Sequence, residues 1–242
     1  MRFISSIFLL ASLGWLVPEA ELSERTRHTI NQSRSFHDPT GKWDNALLNF
    51  HIEEPRVANP TRFSEIFLNV ADGTFSLVRN REDHLTTYSM DANGKPMVLL
   101  DGSEQFDEEL RARYRLYPDR VAGYRDFYRV MYGLPMSLDL SRIRNLGDVA
   151  AGTFQGNRAL VFTIEWKKPL IKPVWKVFLD PDTHSVMGVE LIEPDNADAG
   201  ERIVFQGLVE YQGIRIPHMR HWYSLKNNSY LGSDIIITNE EF

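Results

Sequence analysis

A chain of 242 residues with 43% hydrophobic side chains has the apolar material for one sizeable core or two small ones. Its formal charge of −6, with no basic run longer than Lys167-Lys168, excludes a general nucleic-acid binder, because holding phosphates needs a basic surface. The absence of cysteine excludes thiolate metal sites, thiol nucleophiles, disulfides and a lipid attached through an N-terminal cysteine.

The chain opens with Arg2, an apolar run from Phe3 to Val17, and Pro18-Glu19-Ala20. This is the pattern of a secretory signal peptide cut after Ala20, and the run falls short of the ~20 residues a membrane span needs. The expected organisation is therefore a signal peptide over 1–20 and a single domain over 21–242. Removing the leader takes away Arg2 and Glu19, so the charge stays −6. A secreted chain without disulfides fits a bacterial periplasm or envelope.

Leu22, Thr26, Ile30 and Phe36 give a thin stripe for a short helix over 21–36, which His37-Asp38-Pro39-Thr40-Gly41 ends. From Trp43 the period changes to two. Ala46, Leu48, Phe50 and Ile52 alternate with polar neighbours, followed by Ile66, Leu68 and Val70, the turn Asp72-Gly73, then Phe75 and Leu77. Further strands cover Leu85 to Met90 and Met97 to Leu100 around Ala92-Asn93-Gly94. Short strands joined by Asn/Asp/Gly turns make an antiparallel meander.

The middle is helical. Ser103 is placed to cap a helix carrying Phe106, Leu110, Tyr114 and Tyr117, stopped by Pro118. A second helix starts near Asp119, shows Val121, Tyr124, Phe127, Tyr128 and Met131 on one side, and ends at Gly133. The loop that follows is oily: Leu134, Met136, Leu138 and Leu140. Exposed, it would be a large apolar patch, which monomers avoid. It is either ordinary core plugging the end of a sheet or a movable lid over a cavity, and Met131 and Met136 suit an adaptable contact.

Strands resume at Thr153. Leu160, Phe162, Ile164 and Trp166 share a face, followed by Val174 to Leu179, Met187 to Leu191, Ile203 to Val209, Ile214 to Leu225 and Leu231 to Thr238. About ten or eleven strands in one strongly curved antiparallel sheet, with one helical insertion, is the expected mainly-β (α+β) fold. Trp166, Trp175 and Trp222 suit either a pocket wall or cross-strand pairing.

Catalytic signatures are poor. Of seven histidines, His218 and His221 would point to opposite faces of a strand, and adjacency does not make His37-Asp38 a catalytic pair. No Gly-x-Ser-x-Gly elbow and no phosphate-cradling glycine loop occurs. Glu53-Glu54, Asp107-Glu108-Glu109 and Glu240-Glu241 look like solvated faces or turn flanks. No metal and no cofactor are expected.

Five phrases, FHDPTGKW (36–43), YRDFYRVMYGLPMSL (124–138), FLDPDTHSVMGVEL (178–191), GIRIPHMRHWY (213–223) and LGSDII (231–236), resemble in order a domain-of-unknown-function family of secreted Gram-negative proteins. That family resembles in turn the LolA/LolB-like lipoprotein-carrier superfamily. The resemblance implies a half-open β-barrel around an apolar cavity with helices over its mouth. An arginine on an early strand helps hold that lid in the carriers; Arg79 and Arg81 lie in the region, and no motif aligns either. The expected function is a non-enzymatic periplasmic carrier, working as a monomer, for an apolar or acylated ligand such as a lipid or a lipoprotein acyl chain. The competing readings are an envelope hydrolase and a scaffold whose core is self-filled. The expected ligand-binding residues are Phe127, Met131, Tyr132, Leu134, Met136 and Leu138 on the lid and Phe162, Trp166 and Trp175 on the wall. Envelope lipoproteins are the expected partners, membrane contact is expected to be transient at most, and nucleic acid is not expected.

Overall fold

The protein is described from a computed structural model over residues 22–237, without the side chain of Ala197. The signal peptide expected over 1–20 and the Glu240-Glu241 pair lie outside the described residues.

Among the described residues thirteen strands form one antiparallel sheet, against the ten or eleven expected. The first five are β1 (Leu47–Glu54), β2 (Arg62–Asn69), β3 (Phe75–Arg81), β4 (His84–Met90) and β5 (Pro96–Leu100). The other eight are β6 (Ile143–Leu146), β7 (Ala150–Phe154), β8 (Asn157–Leu170), β9 (Lys172–Leu179), β10 (Val186–Ile192), β11 (Glu201–Tyr211), β12 (Ile214–Ser224) and β13 (Tyr230–Ile237). The short edge strand β6 escaped the sequence pattern because Arg144 and Asn145 are exposed and no alternation develops over four residues. Helix α1 (Glu24–His37) precedes the sheet; α2 (Glu108–Tyr114) and α3 (Val121–Gly133) lie between β5 and β6.

The strand order is β5-β4-β3-β2-β1-β13-β12-β11-β10-β9-β8-β6, with β7 also on β8. Two meanders grow outward from the centre, where β1 pairs with β13 through His51↔Ile237 to Glu53↔Ile235. The chain must therefore pass from one sheet edge, β5, to the other, β6, and the α2–α3 segment makes that crossing. α3 touches β5 and β8, ten steps apart in the strand order. Ten steps of a flat sheet would span about 48 Å, while thirteen helical residues span about 20 Å. One helix reaches both only because the sheet curls around it.

The inner face follows strand parity. Leu48, Phe50, Ile52 and Glu54 of β1 are buried while Leu47 is exposed. α1 keeps Thr26 and Ile30 of its expected stripe on a buried side with Thr29, Ser33 and His37, with Ser23 as N-cap, while Leu22 and Phe36 are half-buried. α2 begins later than expected. Asp107 caps it by accepting from the Leu110 N–H at 2.8 Å, while Ser103 serves a turn, its hydroxyl accepting from the Gln105 N–H. Tyr117 stays outside, just ahead of the 3₁₀ turn Pro118–Arg120 that leads into α3.

Candidate functional site

α3 places Tyr124, Phe127, Tyr128, Met131 and Tyr132 on one stripe, at the spacing of a single helix face. Each aromatic finds a partner on the sheet. Tyr124 meets Tyr88 edge-on at 5.0 Å between ring centres, Tyr128 stacks on Phe75 at 6.1 Å, and Tyr132 stacks on Phe50 at 5.1 Å. Phe127 reaches across to Trp175 at 6.3 Å and Trp222 at 6.5 Å. The helix closes at Gly133, where a Cβ would run into the Trp43 ring. Beyond it Leu134 and Leu138 are buried and Met136 is half-buried. The Arg34 guanidinium of α1 donates to the Leu138 carbonyl at 3.0 Å and the Pro135 carbonyl at 3.4 Å, so α1 ties down the tail.

On the opposite wall Trp166 and Trp175 meet edge-on at 5.8 Å, and the Trp175 indole donates to the Leu170 carbonyl at 3.0 Å. Phe162, Trp166, Trp175, Met131, Tyr132, Leu134 and Leu138 belong to one buried cluster, with Phe127 and Met136 packed against it half-buried. All nine residues expected from sequence thus come together, but as packed side chains. Trp175 has no exposed surface and Phe162 only 1%, because the α3 stripe occupies the concave face. A cleft of about 550 Å³ lies to one side of this cluster, its apolar wall including Phe50, Leu208, Val209, Tyr211 and Ile236 and its polar wall Asn49, His51, Glu210 and His218; its Phe50 is the ring that stacks on Tyr132.

A polar belt runs through the same face. The Glu54 carboxylate is buried and receives the Arg79 guanidinium at 2.8 Å. Arg62 Nε lies 3.0 Å from it without hydrogen-bond alignment, and Arg56 is 3.8 Å away. Glu54 is therefore not the solvated flank that an acidic pair suggests; its parity with Leu48, Phe50 and Ile52 turns it inward. Arg79 also donates to the Ser64 hydroxyl at 2.8 Å and to the Tyr128 hydroxyl at 2.7 Å, which joins sheet to helix. Burial, joined by the nearby carboxylates, pushes the Tyr128 phenol up to about 12. Asp234 accepts from Arg56 and from the Trp222 indole at 2.9 Å. Arg220 is fully buried, its guanidinium carbon 3.7 Å from the Tyr132 ring centre. Sequence reasoning read Glu54 as part of a solvated flank and passed over Asp234 and Arg220, although all three stand at inward positions of alternating strands.

The histidine chemistry does not assemble. His37 Nδ1 bonds the Arg215 carbonyl at 2.7 Å and its Nε2 accepts from the Val186 N–H at 3.0 Å. Its neighbour Asp38 instead accepts from the backbone N–H groups of Lys42 and Trp43. His51 is exposed on β1. His218 bonds the Ile236 carbonyl, and His221 bonds Ser233 and Gln206. Among the described residues no three of His, Asp or Glu are placed to hold a metal ion, and no helix is long and apolar enough to cross a membrane.

Residues 5–239 match the family model DUF6503, a family of unknown function. The chain belongs to that family. A search of curated proteins returns no match. Among solved structures it is similar to one described as an outer membrane lipoprotein-sorting protein domain from Vibrio parahaemolyticus. The two share 12% identity and a TM-score of 0.51, over 88% of this chain and 92% of that one. It is also similar to a LolA superfamily protein from Nitrosomonas europaea, at 6% identity and a TM-score of 0.50, with the same coverage of 88% and 92%. At these identities the likeness is one of fold: this DUF6503 chain has the LolA-like architecture of an unclosed antiparallel sheet wrapped on a helix.

Proposed function

We propose that this DUF6503 protein is a periplasmic, monomeric carrier for an apolar or acylated ligand, with α3 and residues 134–138 as its lid and Phe162, Trp166 and Trp175 as the wall the ligand meets. The observation that carries the reading is how α3 is held. It fills the concave face through side chains alone, and two polar latches fix it: Arg79 to Tyr128 and Arg34 to the tail carbonyls. A hydrocarbon chain is a fitting substitute for such a stripe. Each methylene it buries contributes about 0.8 kcal/mol, which offsets the aromatic and Met contacts given up when α3 swings away. The LolA-like neighbour described as an outer membrane lipoprotein-sorting protein domain supports an acylated ligand and an envelope location.

The test is uptake of a fluorescent fatty acid by the purified protein, together with native mass spectrometry for co-purified lipid. Saturable uptake, weakened by Met136→Asp more than by a matched change at exposed Met97, is expected. An empty protein with no uptake, or equal effects of the two changes, contradicts the assignment. The near-total burial of the wall favours one other reading, a scaffold whose core is its own side chains; that protein would bind none of the probe.

A further inference from the structure

Arg220 is an anomaly that the lid does not explain. It stands on β12 directly between Phe205 of β11 and Asp234 of β13 in the ladder, with no exposed surface. Its Nη1 donates to the Pro217 carbonyl at 3.0 Å. Among the described residues nothing accepts from Nε or Nη2, the two donors that form one edge of the guanidinium fork. The Tyr132 hydroxyl, on the ring stacked 3.7 Å from the guanidinium carbon, is likewise buried and unpartnered, and Phe205 flanks the other side at 5.5 Å. The adjacent carboxylate, Asp234, is already taken by Arg56 and Trp222.

A buried cation whose neighbouring carboxylate, Asp234, makes its hydrogen bonds elsewhere is costly to hold, and an apolar residue of similar size would pack there without that cost. The surroundings sharpen the anomaly. The belt holds four guanidiniums, Arg56, Arg62, Arg79 and Arg220, against two carboxylates, Glu54 and Asp234. Glu201 and Lys172 at its rim add one charge of each sign. An intact Nε/Nη2 edge is the geometry that takes the two oxygens of a carboxylate in parallel hydrogen bonds. The approach is also marked. Phe50 lines the 550 Å³ cleft and stacks on Tyr132, and Tyr132 covers Arg220, so a molecule that displaces these two rings from the cleft uncovers the fork. A cleft of that volume is in the range of small-molecule sites.

We infer that Arg220 receives the headgroup of the carried ligand: its free fork binds the carboxylate of a singly charged acyl amphiphile when Tyr132 moves aside, and the hydrocarbon tail lies along the Phe50 cleft and the α3 stripe. This rests on the carrier reading and narrows its ligand from any apolar molecule to a fatty-acid-like one. Carboxylate is favoured over a phosphate head because the fork offers two donors and one charge in an enclosed place.

The experiment compares palmitate, hexadecanol and hexadecyl phosphate by titration calorimetry on the wild type, Arg220→Met and Arg220→Lys. Charge-assisted bidentate binding predicts that the wild type prefers palmitate over hexadecanol by about tenfold to a hundredfold. Arg220→Met should bring palmitate down to the hexadecanol level while hexadecanol binding stays, and it should melt no lower than the wild type, since it replaces a buried charge lacking hydrogen-bond partners on its Nε/Nη2 edge with an apolar side chain. Arg220→Lys, which keeps the charge and loses the fork, should keep only a small part of the preference, and decides the matter if the Met variant does not fold. Equal wild-type affinity for palmitate and hexadecanol, survival of the preference in Arg220→Met, or a stronger preference for hexadecyl phosphate overturns the inference and leaves the carrier reading standing. Failure of all three molecules to bind the wild type overturns both.

Discussion

His37 shows how a motif-like residue is used up by structure. It is held neutral by two backbone partners of opposite kind: the Arg215 carbonyl needs a donor at Nδ1, and the Val186 N–H needs an acceptor at Nε2. Burial, with the nearby Arg215 charge, lowers its pKa below the ordinary 6.5, against the opposing Arg215 carbonyl bond. The unfolded chain therefore takes up a proton that the folded one refuses. His37's contribution is complete above pH 6.5 and is lost as the pH falls toward the lowered folded value. Denaturant midpoints between pH 5 and 8 should show a steeper acid loss for the wild type than for His37→Asn, with the variant weaker at pH 8 by about 1–3 kcal/mol for its unpaired backbone group; parallel curves would contradict this. Glu54 makes the complementary case, because it serves Arg79, Arg62 and Arg56 together. Glu54→Gln should cost about 3–5 kcal/mol in chemical denaturation, the penalty for stranding buried charge. Strand parity in the sequence shows that Glu54 and Arg220 point inward. It cannot show which charge each one meets: the Glu54 partner Arg79 stands two strands away on β3, and Asp234, which faces Arg220 across the β12–β13 pairing, is bonded by Arg56 and Trp222 instead.

α3 was largely legible, and for identifiable reasons. Its stripe at i, i+3, i+4, i+7 and i+8 from Tyr124 has a helical period, and Gly133 closes it. The glycine's role was hidden until Trp43 was seen against it. Gly133→Ala should accordingly lower the melting temperature and loosen the tail, while Gly123→Ala, with open space around it, should not; a thermal scan of both separates the two. The start of α2 was misplaced because Ser103 and Asp107 are both competent caps and only the fold decides between them. The latch at Tyr128 gives the element-scale prediction. Tyr128→Phe removes one bond from Arg79, which keeps Glu54 and Ser64, so the stability loss should be only about 1–2 kcal/mol while fatty-acid uptake becomes faster. Unchanged uptake kinetics with a full stability loss would reduce Tyr128 to a core residue.

At the scale of the molecule, local turns made the two meanders readable, since strands such as β3 and β4 are joined by short connections. The central β1–β13 pairing was not readable, because it joins residues some 180 positions apart and leaves no local mark. The sequence reading expected a curved sheet from strand twist and a half-open barrel from the resemblance; in the structure the curl follows from one helix touching β5 at one edge and β8 next to the other. That arrangement separates a lid from a plain core energetically. The sheet is tied by backbone ladders, whereas α3 is held by a stripe of side chains and a few latches; on the carrier reading proposed above it opens below the global unfolding free energy.

Hydrogen exchange across residues 121–138 tests that claim most directly. The account predicts that these amides exchange together, at least about tenfold faster than those in the middle of β1 and β12, and that palmitate changes their rate while leaving the two strands alone. Exchange as slow over 121–138 as in those strands, and indifferent to palmitate, would show a fixed core element and contradict the carrier.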